Sequence, residues 1–253
     1  MSLPSLEIRS VGEGKPLVLL HGFPLSSHFW DDFTPPMGFR LLLPDFPGFG
    51  ASPLTPAKID FKALSLALEA RLRALGAGDR IHLGGLSMGG YWAFEFARLF
   101  PKSLEKLILI STRAGLDRPE ARQNRLRMAE RVETEGMGGF VEGMLPGLLS
   151  QTTLQTKPQV VGKLRQWILE APPGGVALAQ RVMADRRDQR DLLPALDVKT
   201  LILAGQEDAL IPPSESEAMA RLIPGSELQI IAKVGHLLPI EDTSSFQALL
   251  NNF

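Results

Sequence analysis

A serine between glycines is the first feature of this sequence that could do chemistry. Gly85, Ser87 and Gly89 form the pattern Gly-x-Ser-x-Gly, with an apolar run, 81–83, before it and a helix-compatible segment, 91–100, after it. Strand, tight turn and helix are the context of a nucleophile elbow, in which a strained turn lifts the serine hydroxyl clear of the sheet. Because a solvated serine in a glycine-rich turn is the plain alternative, the pattern needs catalytic partners elsewhere in the chain.

The first partner is a general base, since a serine hydroxyl is a poor nucleophile at neutral pH. Four histidines are available. His236 follows the last predicted strand, which places it at the carboxyl edge of the sheet, where Ser87 emerges. His21 ends another strand, beside a Gly-Phe pair suited to shaping an anion pocket. His82 lies inside a strand, where a core or surface histidine is expected, and His28 is expected to pack or to form part of the pocket wall. His236 is therefore the predicted base.

The second partner is an acid that orients the base. Asp208 lies just beyond the predicted strand 200–204, in a loop that leaves the same sheet edge. Glu207 is the alternative, although it can face solvent instead. The chain order Ser87, Asp208, His236 is the order that accompanies such an elbow. The sequence therefore predicts nucleophilic catalysis by a Ser-His-Asp triad.

Composition narrows the class of protein. The chain has 253 residues, which suits one α/β domain with an inserted subdomain. Its net charge of −1 gives no electrostatic case for a nucleic-acid or membrane partner, and the absence of cysteine excludes disulfides and a thiol nucleophile. Residues 1–10 lack the pattern of a signal peptide, and no apolar run approaches the roughly 20 residues of a membrane helix. We expect a soluble, cytoplasmic protein of undetermined oligomeric state.

Apolar runs alternate with helical patterns in the first and last parts of the chain. This alternation predicts an α/β fold with a mostly parallel sheet and right-handed crossovers. The predicted strands are 6–11, 16–20, 39–43, 81–83, 107–110, 200–204 and 227–232. The predicted helices are 25–33, 58–75, 91–100, 214–222 and 243–253.

The alternation breaks between residues 111 and 195, where the pattern is helical only. The predicted helices there are 120–134, 141–149, 160–171 and 176–186. We interpret residues 112–194 as a helical cap inserted into a core domain formed by residues 1–111 and 195–253.

With these features together, the chain resembles the α/β-hydrolases, in particular their serine carboxylesterase and 3-oxoadipate enol-lactonase-like branch. The resemblance covers essentially the full length. The motifs that carry it are His21-Gly22-Phe23-Pro24, Asp45 to Ser52, Gly85 to Gly90, Gly205 to Asp208 and Gly235-His236. It implies a mostly parallel central sheet flanked by helices, with an inserted helical cap.

The resemblance also implies roles for single residues. Ser87 is expected to be the nucleophile, His236 the general base and Asp208 its orienting acid. The backbone NH groups of Phe23 and Met88 would form the oxyanion hole, which stabilises charge that develops in the transition state.

Other motif residues are expected to lie around this centre. His21 and Gly22 would line the substrate pocket, and the loop from Asp45 to Ser52 would have a structural role. The resemblance implies neither a metal nor an organic cofactor.

Six arginines cluster where the predicted cap begins. One interpretation is a solvated surface with ion pairs to Glu120, Glu130 and Glu133. The alternative is that Arg113, close to a strand end, reaches the pocket and pairs with a substrate carboxylate. The cluster consists of Arg113, Arg118, Arg122, Arg125, Arg127 and Arg131.

The implied reaction is hydrolysis of a carboxylic ester, with short acyl chains, through an acyl-enzyme intermediate. Ser87 argues against epoxide hydrolases and haloalkane dehalogenases, which resemble the chain but carry aspartate at the elbow. Enol-lactones and the carbon-carbon bonds of meta-cleavage products are alternative substrates of the same scaffold. A non-catalytic protein that binds a small molecule is the alternative from another class.

Overall fold

The computed structural model describes residues 3–55 and 58–253, and within them the strands form one seven-stranded sheet. Residues 1, 2, 56 and 57 of the predicted core lie outside the described residues. The strands are β1 Ile8–Gly12, β2 Lys15–Leu20, β3 Phe39–Pro44, β4 Ile81–Leu86, β5 Leu104–Ile110, β6 Lys199–Gly205 and β7 Glu227–Ile231.

The strand order is β1-β3-β2-β4-β5-β6-β7. Only β1 runs against its neighbour, pairing antiparallel with β3 across the described part of the sheet, and every other pair is parallel. The predicted fold class is therefore confirmed. Because β2, β4, β5, β6 and β7 are parallel, the loops that follow them leave the same edge.

The central strands are buried on both faces, which explains their continuous apolar runs. All six residues of β4 are buried, as are the last four of β5 and the last six of β6. Helices cover both faces of the sheet. Successive side chains of these strands point to opposite faces, and both sets are therefore buried.

Ten α-helices accompany the sheet in the described residues. Two short ones, 151–156 and 238–241, have no counterpart in the sequence prediction. The helices are α1 Phe61–Ala74, α2 Met88–Leu99, α3 Pro119–Glu135, α4 Gly138–Leu148, α5 Gln151–Thr156, α6 Pro158–Glu170, α7 Pro173–Ala184, α8 Pro213–Leu222, α9 Leu238–Glu241 and α10 Thr243–Asn252.

Helices α3 to α7 all lie in sequence between β5 and β6, where the alternation breaks. In the described chain this segment contains no strand. Its helix α4 meets the sheet domain at Phe23, whose ring packs edge-on against Phe140 with centroids 5.9 Å apart. The division of the chain into a core and a cap at residues 112 and 194 stays a prediction.

The predicted helix 25–33 is wrong in extent, because only a 3-10 helix, Ser27–Trp30, forms there. Ser26 before it is extended, with φ −134° and ψ −175°. The amide of Ser27 donates to Asp45 Oδ1 at 2.6 Å instead of entering an α-helical ladder. A contact distant in sequence thus overrides the local helical pattern.

An aromatic cluster joins the closing helix to the loop after β2. Phe246 of α10 is fully buried, with its ring 5.9 Å from that of Trp30 and 5.2 Å from that of Phe33, centroid to centroid. Such pairs add about 0.5–1.5 kcal/mol to the burial of their apolar area.

Replacing Phe246 with alanine should lower the free energy of unfolding by about 3–5 kcal/mol, because a buried ring is lost and a cavity remains. Chemical denaturation measures this change. Asn252→Ala, exposed on the same helix, is the matched control, expected to change stability by less than about 0.5 kcal/mol. Equal effects of the two substitutions would contradict this view of the cluster.

Candidate active site

Ser87 occupies the tight turn between β4 and α2, with φ 53° and ψ −108°. Such a conformation costs a non-glycine residue about 1–3 kcal/mol and persists only where the surroundings hold it. The amide of Ser87 donates to Ile110 O at 2.9 Å. Its carbonyl accepts from Gly90 N and from Thr112 Oγ1, each at 2.9 Å. Neighbouring elements therefore fix the strained turn from both sides.

Gly89 allows the helix after this turn to approach β2. A Cβ at this position would lie 2.3 Å from Leu20 O and 2.9 Å from His21 O. Any side chain would push α2 away from the end of β2. The second glycine of the Gly-x-Ser-x-Gly pattern is thus required by close backbone packing.

Asp208 and His236 form a buried hydrogen-bonded pair. His236 Nδ1 lies 2.7 Å from Asp208 Oδ2, and the two residues are 1% and 4% exposed, respectively. Asp208 Oδ1 accepts from the amides of Leu210 and Ile211, at 2.9 and 2.8 Å. A carboxylate fixed in this way holds the proton of His236 on Nδ1 and leaves Nε2 free to act as a base.

Glu207, the alternative acid, points elsewhere. Its Oε2 accepts from the amide of Gln151 at 3.1 Å, at the start of α5. The acid that is hydrogen-bonded to His236 is therefore Asp208 and not Glu207.

The backbone NH groups of Phe23 and Met88 lie where β2 and β4 end. Met88 is the first residue of α2, so its NH has no partner within the helix. Among the residues that the structure describes, neither NH donates to a protein acceptor. Both groups are thus available to an oxyanion, and the positive end of the α2 dipole favours the same charge.

His21 is 2% exposed, and the backbone engages both of its ring nitrogens. Nε2 accepts from Phe46 N at 3.0 Å, so Nδ1 carries the proton and donates to Gly22 O at 2.9 Å. Burial lowers the pKa of His21, although the charge of Asp45 opposes this. The neutral ring of His21 thus joins two loops through both of its nitrogens, and a contact between His21 and a substrate stays a prediction.

Gly22, beside it, uses its carbonyl in the same way. Gly22 O accepts from Leu25 N at 2.9 Å as well as from His21. A contact between Gly22 and a substrate stays a prediction.

The loop after β3 is organised by Asp45. Its Oδ1 accepts from Ser27 N and its Oδ2 from Ala51 N, at 2.6 and 3.0 Å. Ser52 Oγ donates to the carbonyl of Asp45 at 2.8 Å. These contacts close the loop on itself and agree with the structural role predicted for it.

Arg113 pairs within the chain. Its Nη2 donates to Asp117 Oδ1, and the same buried carboxylate accepts from Arg125 Nε at 2.7 Å and Arg186 Nη1 at 2.6 Å. The Arg186 guanidinium also lies 4.3 Å from the ring centre of Tyr91. Asp117 thus engages one end of the Arg113 guanidinium, and a contact between Arg113 and a substrate carboxylate stays a prediction.

The ion pairs predicted for the arginine cluster are wrong in their partners. Arg122 pairs with Asp185, and Arg131 pairs with Glu135. Glu133 pairs with Arg181 of α7, which is outside the cluster. The helical segment is thus joined by ion pairs between α3 and α7 that single-helix spacing does not predict.

Of the two remaining histidines, His82 has a packing role in the core, whereas His28 lies at the surface. His82 is buried in β4, with its ring 5.0 Å from that of Phe39 and Nε2 3.6 Å from Glu105. Burial lowers the pKa of His82, with Glu105 acting in the opposite direction. His28 is exposed and lies 3.1 Å from Asp31.

The site is covered. Ser87 is only 9% exposed and Met88 1%. Two open cavities, of about 450 and 380 Å³, lie between the sheet domain and the helical segment, and their lining includes neither Ser87 nor His236. Leu178 of α7 lines the first cavity and Trp167 of α6 the second.

Sequence reasoning missed Thr112, whose hydroxyl holds the carbonyl of Ser87. A signal was available, because Thr112 follows a predicted strand that neighbours the strand of Ser87.

No helix in residues 3–55 and 58–253 has the length and apolar character to cross a membrane. The same residues contain no cluster of three or more His, Asp or Glu suited to a metal ion.

Comparisons with known proteins place the chain in a family. Residues 15–243 match the family described as the alpha/beta hydrolase fold, so the chain belongs to it. A thermophilic esterase from Thermogutta terrifontis, solved with malate bound, is 45% identical, with a TM-score of 0.93. That match covers 98% of this chain and 92% of the other.

Two curated relatives are more distant. The pimeloyl-[acyl-carrier protein] methyl ester esterase of Aeromonas hydrophila subsp. hydrophila is 28% identical, over 98% of this chain and 99% of that protein. The 2-hydroxy-6-oxo-6-phenylhexa-2,4-dienoate hydrolase of Burkholderia cepacia is 25% identical, over 98% and 90%. The relatives therefore include one protein named as a methyl ester esterase and one named as the hydrolase of a dienoate.

Asp117→Asn should destabilise the protein at pH 7 by about 3–5 kcal/mol, since it leaves the buried Arg186 and the partly buried Arg113 and Arg125 without their charged partner. Burial alone would raise the pKa of Asp117, but hydrogen bonds from Arg186 and Arg125 bring it well below its usual range. A depressed folded-state pKa stabilises the protein above the unfolded pKa of roughly 3.9, and this contribution fades as pH falls below about 5. Urea denaturation at several pH values should show the difference between the variant and the native protein shrinking towards low pH.

Asp188→Asn is the matched control, because Asp188 pairs with Arg190 and the two side chains are 31% and 68% exposed. Its effect should stay below about 1 kcal/mol. A pH-independent difference between Asp117→Asn and the native protein would contradict the assignment.

Proposed function

We propose that this protein is a serine carboxylesterase that hydrolyses short-chain carboxylic esters through an acyl-enzyme intermediate. One observation carries the proposal. The hydrogen-bonded pair Asp208 and His236 leaves the same sheet edge as the strained turn of Ser87. Nucleophile, base and orienting acid are the groups that acyl transfer to a serine needs.

In the proposed reaction Ser87 Oγ attacks the ester carbonyl while His236 Nε2 takes its proton. The NH groups of Phe23 and Met88 stabilise the negative oxygen of the tetrahedral intermediate. His236 then gives the proton to the leaving alkoxide, and Asp208 stabilises the imidazolium while it exists. A water molecule, activated by His236 in the same way, then attacks the acyl-enzyme and releases the carboxylic acid. No step requires a metal or an organic cofactor.

The comparisons support an ester as the substrate. The Thermogutta terrifontis protein, at 45% identity, is an esterase, and the Aeromonas relative acts on a methyl ester. A low exposure of Ser87 and the packing of Phe140 on Phe23 support a small acyl group, because little room is left beside the proposed oxyanion hole.

In this proposal residues 112–194 form a cap over the site, and the partner is a small-molecule ester or lactone. The position of helices α3 to α7 in the sequence supports this interpretation, since they lie after the strand that carries the nucleophile and before the strand that carries the acid. The cytoplasmic location expected from the sequence stays a prediction.

The Burkholderia relative keeps carbon-carbon hydrolysis as the second candidate. Both reactions use a serine scaffold, but the leaving group is an alkoxide in one and a carbanion in the other. Hydrolysis rates of activated esters of increasing chain length therefore distinguish the two candidates. An esterase should hydrolyse the short esters quickly, whereas a hydrolase of vinylogous diketones should hydrolyse them slowly. Enol-lactone hydrolysis and non-catalytic binding remain the alternatives if esters are not turned over.

The test is the initial rate of hydrolysis of p-nitrophenyl esters from acetate to decanoate. The native rate should be highest for short chains, and Ser87→Ala should lower it by roughly 10⁴-fold or more, because triad members act as a unit. Ser65→Ala is a matched control, since Ser65 is a buried serine of α1 whose hydroxyl bonds Phe61 O. Its rate should equal the native rate.

Hydrolysis that survives Ser87→Ala would overturn the nucleophile assignment. A native protein that turns over none of these esters would overturn the carboxylesterase proposal and direct the same comparison to enol-lactones and vinylogous diketones.

A further inference from the structure

Glu241 is a buried carboxylate five residues after His236, at the end of α9. It is 2% exposed. Its Oε1 accepts from the amides of Gly235 and Leu237, at 3.0 and 3.2 Å, and its Oε2 accepts from the amide of Ser150 at 2.8 Å. A buried charge is tolerated when donors surround it, and here three backbone amides do so.

Two of these amides flank His236 in sequence. The residues before and after the histidine are therefore held through their amides by one carboxylate group, and Asp208 holds its ring at Nδ1. Residues 232–237 contain no helix or strand, so no ladder of backbone hydrogen bonds fixes this loop. The direction of His236 Nε2 then depends on Glu241 as well as on Asp208.

The third amide belongs to the helical segment between β5 and β6. Ser150 caps α5, with its hydroxyl accepting from Thr153 N at 3.0 Å. The segment packs closely on the histidine loop, since a Cβ on Gly235 would lie 2.4 Å from Ser150 N. Lys157 Nζ, at the end of α5, donates to the carbonyl of Glu241. One residue thus contacts both the histidine loop and the helices that cover the site.

We propose that Glu241 is a positioning residue for His236, and that its bond to Ser150 couples the placement of this histidine to the docking of the helical segment. The inference rests on the proposed function, because it concerns the general base of that reaction. Glu241 touches no reacting atom and acts through the backbone on either side of His236.

The first test replaces Glu241 with glutamine, which keeps the shape but turns one acceptor into a donor that faces an amide. The readouts are kcat and KM for p-nitrophenyl butyrate and the rate at which a fluorophosphonate labels Ser87. We expect kcat and the labelling rate to fall roughly tenfold to a hundredfold, with KM within about twofold, because general-base catalysis contributes about 10²–10⁴-fold.

Glu207→Gln is the matched control. Glu207 accepts from the amide of Gln151, next to Ser150, but makes no bond to the amides that flank His236. Its kcat and labelling rate should stay within about twofold of the native values. A folded Glu241→Gln protein with native kcat and labelling rate would overturn the positioning role.

The second test removes the contact from the other side and serves also if Glu241→Gln fails to fold. Ser150 has φ −64° and the preceding Leu149 is extended, so proline fits the backbone while replacing the NH with a methylene group. Ser150→Ala loses the same hydroxyl cap but keeps the NH. We expect Ser150→Pro to label several-fold more slowly than Ser150→Ala, and equal rates would overturn the coupling.

These outcomes separate the two proposals. Native protein that is not labelled at Ser87 overturns the proposed function, and the positioning role falls with it. Native protein that is labelled, with all variants labelled at the same rate, overturns the role of Glu241 alone.

Discussion

The strained backbone of Ser87 is the constraint on which the site depends. A conformation that costs about 1–3 kcal/mol is kept because Ile110, Gly90 and Thr112 together bind its amide and its carbonyl. Two of these partners come from the end of β5 and the residues after it. The turn is therefore held by the neighbouring strand as well as by its own helix. Substitutions at the end of that strand should consequently alter the conformation of Ser87.

The parallel sheet gathers the remaining groups. Since β4, β6 and β7 end at one edge, residues far apart in sequence meet there without long loops. The loops after β6 and β7 also bond each other, because Glu207 N donates to Val234 O at 2.8 Å. Asp208 and His236 thus lie on two loops that are hydrogen-bonded to each other. The carboxylate of Glu241 bonds the histidine loop to the helical segment between β5 and β6 as well.

Sequence alone predicted the parts that local patterns determine. Apolar runs predicted the parallel sheet, and chain order predicted the pairing of Asp208 with His236, which the structure contains. The contacts of His21 and Arg113 were not predictable, because their partners, Phe46 and Asp117, are set by tertiary packing and not by spacing. Glu241 was missed for the same reason, since its three donors include an amide 91 residues away. The roles of Ser87 and the proposed oxyanion hole stay predictions.

The most direct test of the account is to trap the covalent intermediate. Protein mixed with p-nitrophenyl acetate and quenched in acid within the first turnover is digested, and its peptides are measured by mass spectrometry. The account predicts an acetyl group on the peptide that contains Ser87, and none on that peptide from His236→Ala treated in the same way. Turnover with no acetylated peptide, or an acetyl group on another residue that forms and decays with turnover, would contradict it.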